Sequence, residues 1–76
     1  MIQNNYITLK KTKNIYSFLE QNHLQKTFKN SRTEIWENDE IQISIDKTII
    51  RILIFDENKI MYYKNLISKI KKNTLF

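Results

Sequence analysis

An α+β domain built on an antiparallel sheet is the fold class this sequence predicts, and three observations carry that reading. Residues 34–64, EIWENDEIQISIDKTIIRILIFDENKIMYYK, alternate apolar and polar side chains with a period of two. Polar turn segments interrupt the alternation at 37–40, 46–47 and 56–59. On either side of it, apolar residues recur at helical spacing. The expected architecture is a short N-terminal helix, a four-stranded antiparallel β-meander over about 34–64, and a short C-terminal helix, with both helices on one sheet face.

The 76 residues suffice for one small domain, and a chain of this size buries only about 60% of its unfolded surface. Residues 1–13 are polar apart from the alternation Tyr6-Ile7-Thr8-Leu9, which reads as an edge strand or an extended arm. Ile15, Phe18, Leu19 and Asn22 then follow at i, i+3, i+4 and i+7. That spacing predicts an amphipathic helix over about 14–23, capped by Asn14 or Thr12. Residues 24–33 carry three basic side chains around a single Phe28, and read as a loop or a poorly committed strand.

Within 34–64, two-residue loops at Asn38-Asp39, Asp46-Lys47 and Glu57-Asn58 set a register. The first pairs Trp36 with Ile41, the second Ile43 with Ile50 and Ile41 with Ile52, the third Ile54 with Met61 and Ile52 with Tyr63. One face then holds Trp36, Ile41, Ile43, Ile45, Ile50, Ile52, Ile54, Met61 and Tyr63. The other mixes Ile35, Gln42, Ser44, Ile49, Arg51, Leu53, Phe55, Ile60, Tyr62 and Lys64. A single helix over 58–73 competes for the last part of this segment, because Ile60, Tyr63, Leu66, Ile67 and Ile70 also sit at helical spacing. Met61 favours the strand, since it points away from the helical stripe but faces Ile54 in a hairpin. The expectation is therefore a strand over 60–64, Asn65 as cap, a helix over 66–73, and a docked Thr74-Leu75-Phe76.

The chain has no Cys, Gly or Pro. Without Cys there are no disulfides or thiolate metal sites, and a lone His23 cannot assemble an ordinary zinc site. Without Gly, every turn falls to Asn, Asp, Ser or Lys. No cofactor or metal is expected. The polar start MIQNNYITLKK lacks the apolar region of a signal peptide, and the longest apolar run, 49–55, is broken by Arg51. A cytoplasmic protein without membrane contact is the natural expectation.

Charge is segregated along the chain. Residues 1–33 sum to +5, residues 34–57 to −5 and residues 58–76 to +5. In a meander, alternate turns share one end of the sheet, which places Glu37, Asp39 and Glu40 beside Asp56 and Glu57. Such an acidic end either solvates the turns or docks into a basic groove. Arg51, Tyr62, Lys64, Lys69, Lys71 and Lys72 form the corresponding basic and aromatic candidate set, for phosphate contact, base stacking or a partner's acidic patch.

Two features resemble catalytic patterns. Glu57-Asn58-Lys59 has the E-x-K spacing of restriction-type nucleases, with Asp46 or Asp56 as a second carboxylate, but it falls in a turn. The expected element order resembles the α-β-β-β-α order of small toxin ribonucleases, whose catalytic histidine follows a Gly-Ser or similar turn, whereas this chain has no Gly and His23 ends a predicted helix. A histidine ending a helix also simply complements the helix dipole.

In size, Gly- and Cys-free composition rich in Ile, Asn and Lys, and juxtaposed acidic and basic surfaces, the whole chain resembles small phage-encoded host-defence inhibitors of the anti-CRISPR type. That resemblance implies a non-catalytic protein acting in the host bacterial cell. It would bind a protein or ribonucleoprotein effector and block guide loading, target binding or nuclease activation. The alternative is a direct RNA- or DNA-binding protein using the basic set. A homodimer through the mixed sheet face is a further expectation.

Overall fold

A computed structural model describes residues 5–72, with side chains described as far as Ile70. Five strands and two helices follow one another as β1 (Tyr6–Lys10), α1 (Asn14–Gln21), β2 (Gln25–Lys29), β3 (Glu34–Glu37), β4 (Ile41–Ile45), β5 (Ile49–Ile54) and α2 (Ile60–Lys72). A 3-10 turn at Glu57–Lys59 leads into α2. All neighbouring strands are antiparallel, in the spatial order β1-β5-β4-β3-β2.

The four-stranded meander is thereby corrected to a five-stranded sheet. The expected last strand, 60–64, is the first part of α2. The place beside β5 is taken instead by β1, which pairs Ile7 with Ile52 and Leu9 with Ile50. With that edge satisfied, Ile60–Lys64 has no ladder to join, and its helical spacing decides. Tyr63, Ile67 and Ile70 point inward and are buried, while Met61 is 70% exposed. Met61 was the wrong arbiter, because a single exposed methionine costs little beside three buried anchors. Asn65 consequently lies inside α2 and caps nothing. Residues 73–76, including the expected docking of Thr74-Leu75-Phe76, lie outside the described residues.

The hairpin registers are also corrected. β3 pairs Trp36 with Ile43, and β4 pairs Ile41 with Ile54, Ile43 with Ile52 and Ile45 with Ile50. Each loop sits one residue later than expected, closed by Asn38 N–H to the Ile41 carbonyl at 3.0 Å and Asp46 N–H to the Ile49 carbonyl at 2.9 Å. Asparagine chemistry explains the first shift. Asn38 Oδ1 accepts from the Glu40 and Ile41 amides at 2.7 and 3.0 Å, satisfying donors that the tight turn would otherwise strand. Asn30 does the same in the β2–β3 turn, accepting from Arg32 and Thr33 at 2.8 Å each. Moving a loop by one residue changes the pairing sum by two, so every side chain keeps its face.

Helices α1 and α2 cover one face. Ile15, Phe18 and Leu19 from α1 meet Tyr63, Ile67 and Ile70 from α2 over the six sheet isoleucines 41, 43, 45, 50, 52 and 54, with Leu9 and Leu24 at the margin. The rings of Phe18 and Tyr63 join the two helices, with centroids 6.3 Å apart. Tyr63 is 2% exposed, and its hydroxyl donates to Glu40 Oε1 at 2.5 Å, tying α2 to the β3–β4 turn. Burial, then the Glu40 carboxylate, pushes the Tyr63 phenol up to about 12.

α1 ends without glycine. Leu24 N–H reaches the Leu19 carbonyl at 3.0 Å and His23 N–H the Glu20 carbonyl at 3.2 Å, the hydrogen-bond pair of a Schellman cap. The residue this motif puts in the left-handed region is His23, at φ 61°. Buried Leu19 and Leu24 lie at the motif's usual apolar contact positions.

Candidate functional site

The face of the sheet opposite the helices has no covering element among the described residues. Its cross-strand rows follow from the pairing. Tyr6, Leu53, Gln42, Glu37 and Gln25 form one row, and Thr8, Arg51, Ser44, Ile35 and Phe28 the next. Tyr6 and Phe28 are about half exposed at 53% and 48%, and Phe55, just past β5, is also exposed. The only lysine in these strands on this side is Lys10, at the rim, opposite Ile49.

Polar contacts organise the face. Arg51 Nη1 reaches Asp46 Oδ2 at 2.7 Å, and Asp46 Oδ1 also accepts from the Thr33 hydroxyl at 2.7 Å. The Thr33 hydrogen bond, then Arg51, holds the Asp46 carboxyl below its ordinary range. At the β2 edge a bulge at Thr27 turns its hydroxyl onto Glu37 Oε2 at 2.7 Å. Bulge and edge lysines Lys26 and Lys29 blunt β2 as a template for strand addition.

Glu37, Asp39, Glu40, Asp56 and Glu57 share one end of the sheet. Phe55 N–H donates to the Glu40 carbonyl at 2.7 Å, which brings the β5 exit against the β3–β4 turn. Three of the five carboxylates are occupied locally. Glu40 takes the Tyr63 hydroxyl and, at 3.6 Å, Lys59 Nζ. Glu37 takes Thr27 and Gln42, and Asp56 caps Asn58 N–H at 2.9 Å. Asp39 and Glu57 remain exposed.

The basic and aromatic set is divided by the sheet. Arg51 lies on the uncovered face, whereas Tyr62, Lys64 and Lys69 belong to α2 on the opposite side. Tyr62 is half exposed, packs edge-on against Tyr63 with centroids 5.0 Å apart, and lies under Lys59 Nζ at 5.2 Å. With Lys69 it lines a shallow groove between α1 and α2. The side chains of Lys71 and Lys72 lie outside the described residues.

Neither catalytic pattern assembles. Lys59 turns to Glu40 and not to Glu57, and His23 closes α1. Among the described residues, no three His, Asp or Glu side chains are placed to hold a metal ion. No described helix is long and apolar enough to cross a membrane. The chain matches no family model, no curated protein and no solved structure.

Charge segregation in the sequence predicts that the terminal segments and Lys47 supply a basic surface away from the acidic end, and the structure draws part of it into one constellation. Lys11 N–H donates to the Thr48 carbonyl at 2.9 Å. This seats Lys10, Lys11 and Lys13 beside Lys47, around Thr12, Tyr16 and Thr48 in one shallow depression.

Proposed function

We propose that this chain is a non-catalytic binding protein that docks through its uncovered sheet face on a protein partner, and that the partner is a nucleic-acid-processing effector that it inhibits. The observation that carries the reading is the composition of that face. Tyr6, Phe28, Phe55 and Arg51 surround half-buried Leu53 and Ile35, with lysine kept to the rim. Aromatic residues and arginine are enriched at the centres of protein interfaces and lysine is depleted there. A face meant only for solvent has no need of three exposed aromatic rings. The acidic end continues this surface, and its exposed Asp39 and Glu57 suit the basic channel of a nucleic-acid enzyme.

The test uses Leu53→Glu and Phe28→Ser, both on the uncovered face. The immobilised wild-type chain is expected to capture a nuclease effector complex from bacterial lysate and to suppress its target cleavage. Each variant should keep the wild-type unfolding curve to within about 1 kcal/mol and lose both capture and suppression. Equal capture by wild type and variants would remove the sheet face from the reading. Capture without loss of cleavage would remove the inhibition.

A further inference from the structure

Four lysines from two distant parts of the sequence meet at the end of the sheet opposite the acidic turns. Lys10, Lys11 and Lys13 come from the end of β1 and the entry to α1, and Lys47 from the β4–β5 turn. All four are exposed. Three other cations are engaged. Lys26 lies over the Trp36 ring at 5.3 Å, Lys59 is shared between Tyr62 and Glu40, and Arg51 is paired with Asp46. Among the described residues, none of the four clustered lysines makes an ion pair or sits over a ring.

The nearby acids are engaged elsewhere. Asp46 is taken by Thr33 and Arg51, and Glu34 accepts from the Trp36 indole at 2.9 Å and the Tyr16 hydroxyl at 3.4 Å. The Lys11–Thr48 backbone hydrogen bond brings these four lysines to one end of the sheet, where their positive charges add to one another. We infer that this lysine cluster is a contact surface for the phosphate backbone of single-stranded RNA, distinct from the sheet face proposed to bind protein.

The chemistry sets the kind of contact. The amides of Asn14, Ile15 and Tyr16 at the start of α1 are already satisfied by the Thr12 hydroxyl, the Thr12 carbonyl and the Lys13 carbonyl. No backbone cradle is therefore open to hold one phosphate in a fixed geometry. What remains is a set of mobile ammonium charges beside Tyr16, which is exposed enough to stack on an unpaired base. Binding through it should be indifferent to sequence and steeply dependent on salt. An effector that carries RNA presents protein and phosphate side by side, and the two surfaces of this chain match those two chemistries.

Fluorescence anisotropy of a labelled single-stranded RNA, titrated with the full chain over a range of salt, tests the inference. Neutralising four phosphates gives a log–log slope of roughly −3, equivalent to about 50-fold weaker binding on going from about 50 to about 200 mM salt. Replacing Lys10, Lys11, Lys13 and Lys47 together by serine should abolish that slope. Lys64→Ser with Lys69→Ser on α2 should leave it intact, and so should Leu53→Glu on the sheet face. The inference is overturned if the wild type shows no binding at low salt or if the fourfold variant binds as the wild type does. It is also overturned if the α2 variant loses the slope, or if anionic lipid vesicles bind more tightly than RNA. Protein capture with intact Leu53 would be unaffected by any of these results, so the two surfaces stand or fall separately.

Discussion

On the helix-covered face of the sheet, Ile41, Ile43, Ile45, Ile50, Ile52 and Ile54 are 2% exposed or less, whereas their neighbours in the same strands, Gln42, Ser44, Arg51 and Leu53, keep contact with solvent. The two sets alternate along one backbone, share one hydrogen-bond ladder and differ only in which way they point. Along β4 and β5 the covered face uses a single shape, β-branched isoleucine, with no buried polar or charged residue in the described core. The other mixes aromatic, aliphatic, amide and charged groups. A domain this small concentrates its buried apolar side chains on one side to fold, and the mixed second side is composed for something other than core burial.

The comparison breaks most sharply at Ile52. It is fully buried in the central part of the sheet, between Ile7 of β1 and Ile43 of β4. Ile52→Ala should cost about 2–5 kcal/mol, counting lost transfer energy and the cavity left behind. Domains of this length have roughly 4–11 kcal/mol to lose. The variant is expected to unfold at much lower urea concentration, and Ile52→Val at only slightly lower. Its neighbour on the other face, Leu53→Ala, should shift the midpoint by less than about 1 kcal/mol. Comparable losses at the two positions would mean that the second face is covered after all.

A smaller effect is expected where the covered face reaches a polar anchor. Tyr63→Phe keeps the ring against Phe18 and removes the hydroxyl that Glu40 accepts. The loss should be about 1–2 kcal/mol near neutral pH, because the carboxylate-assisted hydrogen bond disappears while Lys59 keeps part of the charge compensated. The pH dependence gives an independent readout. An unfolded tyrosine gives up its proton near 10.0, while the folded Tyr63 holds it to about 12. Between those values the unfolded state binds fewer protons, so the Tyr63 contribution is complete below about pH 10 and is lost as pH rises through about 12. The stability gap between wild type and Tyr63→Phe should shrink over that window, as followed by urea unfolding at stepped alkaline pH.

These residues also mark what the sequence made legible. Period-two alternation assigned the six isoleucines to one face, and that assignment tolerated loops misplaced by one residue, because the pairing sum moves by two. Neighbourhood in the sheet was not legible. β1 and β5 pair between distant parts of the chain, from Tyr6 with Leu53 to Lys10 with Ile49, and a five-residue edge strand with one buried side chain carries little local signal. Ile60–Lys64 satisfies both periods, and only the presence of β1 beside β5 settles it as helix. For the candidate surfaces, the acidic turns were close in sequence and their shared end followed from strand direction. Charge sums pointed to a basic surface from the terminal segments and Lys47, but which lysines meet there depends on the pairing of β1 with β5, which local pattern does not show. The split of Arg51 from Tyr62, Lys64 and Lys69 follows from the same helix-for-strand exchange.

The smallest expected effect lies at the junction between α1 and β2, where the chain leaves the helical layer for the sheet. The Schellman turn needs a left-handed residue, and in a glycine-free chain His23 fills that place at φ 61°. A side chain with a Cβ costs about 1–2 kcal/mol in that region, less for residues such as His that visit it more often. His23→Gly removes this cost but loosens the unfolded chain, which returns about 0.4–1 kcal/mol. The difference leaves a net gain of about 0.5–1 kcal/mol, or roughly 3–6 °C in Tm for a domain of this size. A scanning calorimetry trace that moved down would show the imidazole contributing something beyond closing the helix, and His23 would then return as a candidate for chemistry. A rise with protein capture and RNA binding both unchanged would fix its role as structural, placing function on the sheet face and the lysine end and not on the one residue whose type first invites a catalytic reading.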